Sequence, residues 1–341
     1  MLGAVDVARG NRATKYLKDA PGDLGSYIPR VSVIVPARNE EEKIREALQS
    51  LLNLDYPDLE FIVLNDRSTD QTGAILAGMA DARLRIVNIT ELPEGWLGKN
   101  YALYQGAEQA SGQVLLFTDA DVVMDPSALA KSVNYLEANG LHHLAVMPKV
   151  RLPSLALRLF CSTFGVFFCG YIRPWKASDP TSRSFIGIGA FNLVSAKAYK
   201  AAGTHRAIAM RPDDDVKLGK LLKKAGYRQE MAFGAGLLTV VWYSSMREMI
   251  GGLMKNFFAG LEYSVPMSIA AGIAVLLLNA WPFVAIFVLR GAAWFLYLLA
   301  AIIMLLFIAD SNRFYKVPRC MRSSTPYPPS FLSTYFGDRW C

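Results

Sequence analysis

Two aspartates, Asp119 and Asp121, follow the apolar run VLLF (114–117) with one residue between them. Two carboxylates at that spacing suit a hard divalent cation, Mg²⁺ or Mn²⁺, shared with phosphate oxygens. Such a cation neutralises charge on a departing diphosphate. Solvated turn aspartates make the same pair by chance. Its place directly after a buried strand singles this one out. A second acidic group, Asp213, Asp214 and Asp215, opens RPDDDVKLGKLLKKAGY (211–227), ahead of a helix patterned by Val216, Leu218, Leu221 and Leu222. Acids at a helix start are stabilised by the dipole. Three in a row exceed what capping needs, and one of them is placed to take a proton from an attacking hydroxyl.

Three further loops carry polar groups. LNDRSTD supplies Asn65, Asp66, Ser68 and Asp70. Ser68 or Asp70 is expected to cap the next helix and Asp66 to contact ligand. In PARNE, Pro36 fixes a turn, Arg38 can meet a phosphate, and Asn39 can cap the following helix with Glu42 three residues on. GWLGKN (95–100) opens another helix. Its glycines allow close backbone approach, a helix N-terminus attracts anions, and Lys99 adds a point charge. The spacing is not that of a P-loop.

The elements that must position these residues alternate. VSVIV (31–35), EFIVL (60–64), LRIVNI (84–89) and VLLF read as strands, separated by helices from Asn39, near Gln71–Ala80 and over Lys99–Gln109. Such alternation implies an α/β fold with a mainly parallel sheet covered on both faces. Ligands bind beyond the carboxyl ends of such strands, where the polar loops lie.

Hydrophobic residues form 52% of the 341-residue chain, and the apolar excess is concentrated in its last quarter. VPMSIAAGIAVLLLNAWPFVAIFVL (265–289) and GAAWFLYLLAAIIMLLFIA (291–309) are each long enough to cross a bilayer, turning near Arg290 and Gly291. The tail after Ala309 is basic, which favours the cytosolic side. Leu152–Trp175 is also apolar, with Arg158 and Arg173 as its charges, and reads as a membrane-surface or acceptor-facing helix or, alternatively, as a buried core helix. Residues 1–30 read as a polar lead-in without a signal peptide, so the catalytic domain (31–262) is expected in the cytosol, with two spans at 265–309 and a basic tail at 310–341. The net charge of +7 fits an anionic membrane surface or a diphosphate. No zinc pattern or basic region points to nucleic acid. Cys161, Cys169, Cys320 and Cys341 form no CxxC pair, and a disulfide framework is not expected.

In this order, VSVIVPARNE, LNDRSTDQT, TDADV, IGAFNLVSAKAYKAAG and DDDVKLGKLLKKAGY resemble the family 2 glycosyltransferases with the GT-A fold, over roughly residues 31–260. LPEGWLGKNYAL narrows the resemblance to the branch with hopanoid-associated and carotenoid glycosyltransferases, ceramide glucosyltransferase being more distantly similar. The resemblance implies a nucleotide-sugar donor, usually UDP-linked, with Asp66 on the base and Pro36, Arg38 and Glu40 lining its pocket. It implies Asp119 and Asp121 at the metal and donor, Asp121 most directly, and Lys99 near the diphosphate. Asp215 matches the catalytic base and Asp214 the acid before it. Gly187, Gly189 and Phe191 would shape the acceptor side. The QxxRW motif of processive members is absent. Residues 240–260 offer Trp242, Arg247 and Lys255 instead, and the absence favours a single transfer over polymer synthesis, while the resemblance implies inverting chemistry. The acceptor implied is a lipid hydroxyl reaching the site from the bilayer past Phe160, Phe164, Phe167 and Phe168. The alternatives are transfer to a polyisoprenyl phosphate and a catalytically idle, membrane-anchored nucleotide-binding scaffold, against which the intact Asp119, Asp121 and Asp215 count.

Overall fold

The computed structural model describes residues 9–314 except 11, 23–27 and 262. Cys320, Cys341 and most of the basic tail fall outside that range, as do the side chains of Phe167 and Lys255.

β1 (Val31–Ala37) is buried along nearly its whole length. Its β-branched run fills both faces of a sheet, as a central parallel strand must. β2 (Leu59–Asp66) and β3 (Leu84–Ile89) continue on one side, and β4 (Val114–Phe117) lies on the other, all parallel. The seven-stranded sheet has the order β3-β2-β1-β4-β8-β6-β9, with β6 (His143–Met147), β8 (Asn192–Ser195) and β9 (Gln229–Phe233) completing it. β8 runs antiparallel to both β4 and β6. A smaller sheet joins β5 (Val122–Met124), β10 (Leu238–Val241) and β7 (Lys149–Arg151).

Alternate residues of the strands feed separate cores. Val31, Val33 and Val35 pack with α1 (Ile44–Leu52), through Ile44, Leu48 and Leu51, and with α4 (Ala128–Ala138). The helix α2 (Thr72–Ala77) joins that first layer through Leu76 and Ile75. Ile34, Ile62, Leu64 and Leu115 face the opposite layer, where α3 (Gly98–Gln109) packs on the strands. Gly106 lets α3 approach, since a Cβ there would lie 2.5 Å from Ile34 and 2.9 Å from Leu64.

The helix expected from Asn39 begins at Ile44 and has no side-chain cap. Asn39 takes φ +56° instead, a left-handed conformation that asparagine tolerates, and its side chain crosses to the neighbouring loop.

α5 (Leu155–Ile172) is capped by Ser154, whose hydroxyl accepts from the Leu157 N–H. α6 (Ala196–Ala201) and α7 (Asp214–Lys224) cover the second layer, and α8 (Met246–Gly260) leaves the small sheet. The run 265–289, expected as one span, is two helices, α9 (Val265–Asn279) and α10 (Trp281–Val288). Pro282 removes the N–H that would have continued the ladder. α11 (Ala292–Phe314) follows and packs against α5. Among the described residues no single helix is long and apolar enough to cross a membrane. α8 and α9 are long and apolar enough only when taken together, and they are bent by 119°.

Candidate active site

The end of β4 meets the start of α7. Thr118 donates to the Ala190 carbonyl at 2.8 Å, and the Asp119 N–H donates to the Gly189 carbonyl at 3.1 Å. These bonds fasten the DxD turn to residues 187–190. On the far side of that segment the Gly189 N–H donates to Asp215 Oδ2 at 2.7 Å. Two buried amides hold the segment in turn. Asn192 accepts from the Ile188 N–H, and Gln229 accepts from the Ile186 N–H while donating to the Gly219 carbonyl. A Cβ at Gly187 would overlap the Asp215 backbone, and one at Gly219 the Ile186 carbonyl. Glycine at both positions allows the start of α7 to lie directly on the segment.

Lys99, in the first turn of α3, bridges the two acidic groups, at 2.8 Å from Asp119 and 3.5 Å from Asp214. Burial works against its charge. Asp119, Asp214 and Asp215 more than offset this and hold the ammonium well above the usual lysine range. Burial also pushes Asp214 up to about 7 and raises Asp215, with Lys99 opposing both shifts. The three successive aspartates have separate surroundings. Asp213 is taken by Arg211 (3.0 Å) and Lys217 (3.4 Å). Asp214 is sealed at 4% exposure. Asp215 is half-buried and faces the Gly189 amide. Asp215 is therefore the member an incoming hydroxyl can reach.

The loops after β1 and β2 are stitched together. The Asn39 N–H donates to Ser68, and Asn39 Oδ1 accepts from the Thr69 N–H. Glu40 and Glu41 donate from their backbones to Thr72 and Asp70. Asp70 also accepts from the Thr72 N–H at the start of α2, so it serves that helix as expected, whereas Ser68 does not. Arg38 is exposed and lies 4.0 Å from Asp66. Pro36, expected to fix a turn, lies within β1 opposite Leu64, and Ala37 ends the strand.

Asp121 accepts a hydrogen bond from Lys43 at 3.2 Å, and the same ammonium lies 3.5 Å from the Val241 carbonyl. Burial and then Asp121, with smaller contributions from Asp119 and Asp70, push Glu40 up to about 7. Burial and Asp119 raise Asp121. Among the described residues no three acidic, histidine or cysteine side chains form a closed cage for a metal. Two carboxylates completed by substrate phosphates are nevertheless the donor set Mg²⁺ ordinarily uses. The crowding of Glu40, Asp119 and Asp121 is what a divalent cation would relieve, so these residues fit one.

On the acceptor side, Gly189 sits inside the site, where a Cβ would stand 2.7 Å from Asp119 and 3.3 Å from Lys99. Gly187 acts through α7 as described. Phe191, expected to shape the acceptor side, is wholly buried in the main core and presents no surface there. It directly precedes β8 and shares the main core with Leu193, two residues on. Trp242 is 36% exposed, stacks on Tyr243 and lies 5.9 Å from Phe164, which stacks on Phe168. Arg247 is exposed on the first turn of α8 and makes no ion pair among the described residues.

Residues 32–168 match the model of glycosyl transferase family 2. That match takes in the strand-end loops that carry Asp66, Lys99, Asp119 and Asp121. A 4,4'-diaponeurosporenoate glycosyltransferase of Staphylococcus haemolyticus is 26% identical over 249 residues, 71% of this chain and 64% of its own length. The protein of the same name from Staphylococcus aureus (strain USA300) is 26% identical over 178 residues, 52% of this chain and 47% of its own. The chain thus spans about half to two thirds of these relatives. A solved mannosyltransferase from Pyrobaculum calidifontis, in complex with GDP-Man and Mn²⁺, superposes with a TM-score of 0.56 at 20% identity, covering 92% of each chain. That likeness shows the GT-A fold.

Several residues that build the candidate site are silent in the sequence. Asn100, beside Lys99, donates to the carbonyls of Ile208, Ala209 and Arg211 and so docks α3 on the loop leading to Asp213. Its only signal is adjacency to Lys99. His205 bonds Tyr199 at 2.8 Å and lines a cavity of about 10 Å³ beside Lys99, Asp119 and Asp214. Burial and then Lys99 push its pKa down to about 3, so it is neutral.

Proposed function

We propose that this chain transfers one sugar, with inversion, from a UDP-linked hexose to a hydroxyl of a lipid acceptor at a membrane. The observation that carries this is the junction at Gly189, which joins the Asp119 turn to Asp215 through opposite sides of one residue. It sets the donor aspartate and the base side by side, in the crevice at the strands' carboxyl ends.

Both Asp215 oxygens already accept backbone N–H bonds, from Gly189 and Val216. These fix the carboxylate plane and leave lone pairs for a substrate. Its raised pKa makes it a stronger base than an ordinary aspartate, and it takes the acceptor's proton as the oxygen attacks the anomeric carbon. Lys99 keeps its charge beside the leaving diphosphate, held in line by Asp214. Asp119 and Asp121 would hold Mg²⁺ or Mn²⁺, which when bound supplies positive charge against the nucleoside diphosphate. Pro36, Arg38, Glu40 and Asp66 form the donor pocket.

A lipid acceptor is supported by the apolar surface of the last helices and by the relatives' name, which specifies an apolar carboxylate. For this chain a neutral hydroxyl fits better than a carboxylate. Asp119, Asp214 and Asp215 already crowd the attack position with negative charge, and a base has no use against an acceptor without a proton. The bent and apolar helices from α8 to α11 would seat the domain on the bilayer, with Trp242, Phe164 and Phe168 beside the acceptor's path and Arg247 at its rim.

The test is transfer of radiolabelled sugar from UDP-glucose into the lipid extract of membranes carrying the protein. It is run with Mn²⁺ or Mg²⁺, with chelator, and with Asp215→Asn. Label that requires both the cation and Asp215 is the expected result. Absence of label from every nucleotide sugar, with the protein folded, would sink the proposal.

A further inference from the structure

Three stretches far apart in the chain meet at the C-terminal end of α5. The first is the turn Pro174–Lys176 with the loop that follows it. It leaves α5 through Arg173, whose φ of +53° turns the chain off the helix axis. The second is residues 10–14, where the Thr14 N–H and hydroxyl both donate to the Gly10 carbonyl. A Cβ at Gly10 would overlap the Trp175 ring, so this turn lies directly on Trp175. The third is α7. Its Lys223 donates to the carbonyls of Ala177 and Asp179, and its Lys220 ammonium lies 5.7 Å from the centre of the Phe185 ring. These contacts lay the loop 177–185 on α7.

Each stretch brings basic residues. Arg9, Arg12, Arg173, Arg183 and Lys224 are all exposed. Within 171–185 the acidic residue is Asp179, and its carboxylate already accepts from the Thr181 N–H and hydroxyl. Apolar surface adjoins the patch. Tyr171, in the last turn of α5, is 71% exposed. α5 packs against α11, whose Phe295, Leu296 and Leu306 are largely exposed. Basic side chains and a tyrosine around the end of an apolar helix are the composition of a membrane interface. The same end of α5 packs, through Phe168 and Ile172, with Ile186 and Ile188, the residues that precede Gly187 and Gly189. It therefore joins the basic surface to the catalytic segment.

We propose that this basic surface binds the phosphates of anionic lipid headgroups and so holds the catalytic junction at headgroup level. This rests on the seating of the chain on a bilayer proposed above. Hydrocarbon contact alone does not distinguish neutral from anionic membranes. A patch of one sign does, because each basic side chain near an anionic surface adds to the attraction, and salt screens it.

The test is partition of the full chain from dilute detergent into vesicles of phosphatidylcholine, with and without phosphatidylglycerol. Phosphatidylglycerol should raise partition by about 100-fold or more at low salt, and high salt should abolish most of that gain. Arg12→Gln, Arg183→Gln and Lys224→Gln should each reduce the gain by about fivefold. Partition of the triple variant into phosphatidylcholine alone should be unchanged, which also shows that it is folded. Arg45→Gln, on α1 in the opposite layer, should alter the gain by less than about twofold. A triple variant that keeps the gain, or one that loses no more than Arg45→Gln, would overturn the proposal while leaving membrane seating intact. Displacement from the vesicles by glycerol phosphate at constant ionic strength would reveal a site for free anions and overturn it as well. Failure of the unaltered chain to enter vesicles of either composition overturns both the proposal and the seating.

Discussion

At the end of β4 the molecule buries charge, and along its last three helices it exposes hydrocarbon. Asp214 is 4% exposed with Lys99 and Asp215 beside it, whereas Phe287 is 89% exposed and Leu278, Leu296 and Leu306 are each above 60%. Both arrangements are costly in water alone. Buried charge must be paired and hydrogen-bonded, and contiguous exposed apolar surface marks a site of contact. The difference lies in what relieves each. The acidic junction is satisfied in part from within, by Lys99, Lys43 and backbone amides, and is left with excess negative charge that suits a cation and a reacting hydroxyl. The helices have no internal partner on their outer faces among the described residues, and under the proposed function a bilayer would supply one.

Four experiments test whether the two regions divide the work in this way. Asp215→Asn should lower kcat by about 10²–10⁴-fold, the usual weight of a general base, while calorimetric UDP affinity stays within about threefold. Persistent turnover would remove the junction from the chemistry. Lysine at 277, 287 and 296 together should lower partition into vesicles by about 100-fold or more, given the cost of charge in hydrocarbon. Transfer to a short, soluble acceptor should survive, and its loss would mean that the helices hold the site together. Trp242→Ala should raise KM for a long-chain acceptor by about tenfold without changing KM for the nucleotide sugar. Equal effects on both substrates would deny it a place on the acceptor path.

The smallest effect is on stability. Asp214 rises from 3.8 to about 7 on folding, and Glu40 from 4.5 to about 7. Between about pH 4 and 7 the folded state therefore binds more protons than the unfolded one. Stability from these groups is full below pH 4 and falls as pH rises to 7. Asp214→Asn removes part of that slope and should raise stability at pH 8 by about 1–3 kcal/mol. This corresponds to a few degrees in Tm by calorimetry. A decrease would show that its pairing with Lys99 outweighs the cost of burial.

Much of the catalytic frame was legible because its signals are local. The runs 84–89 and 114–117 became strands over those same residues, and the face Ile44, Ala47, Leu48 and Leu51 is the buried face of α1. Asn39 misled because asparagine suits both a cap and a left-handed turn, and its choice depended on Ser68 and Thr69, some 30 residues away. Lys43, Asn100 and Gln229 could not be read from their own segments. Each is an ordinary residue there and acquires a role only from a distant partner. Phe191 failed for the opposite reason. Its motif is local, but the main core it shares with Leu193 decides which way it points. The break at Ala280 was likewise invisible to a count of apolar residues, although Pro282 marked it.

The place of β8 has a consequence for synthesis. The family match ends at residue 168, yet β8 (Asn192–Ser195) is the strand that lies between β4 and β6. A chain extended only to 168 would hold Asp66, Lys99, Asp119 and Asp121 but leave β4 and β6 with bare edges, the template for aggregation. On the ribosome those edges stay open until β8 emerges, and Gly189 emerges immediately before it. The nascent chain thus loses its stickiest surface at nearly the same moment that the donor turn gains its link to α7, and a donor half cut away at 168 is expected to precipitate rather than bind nucleotide.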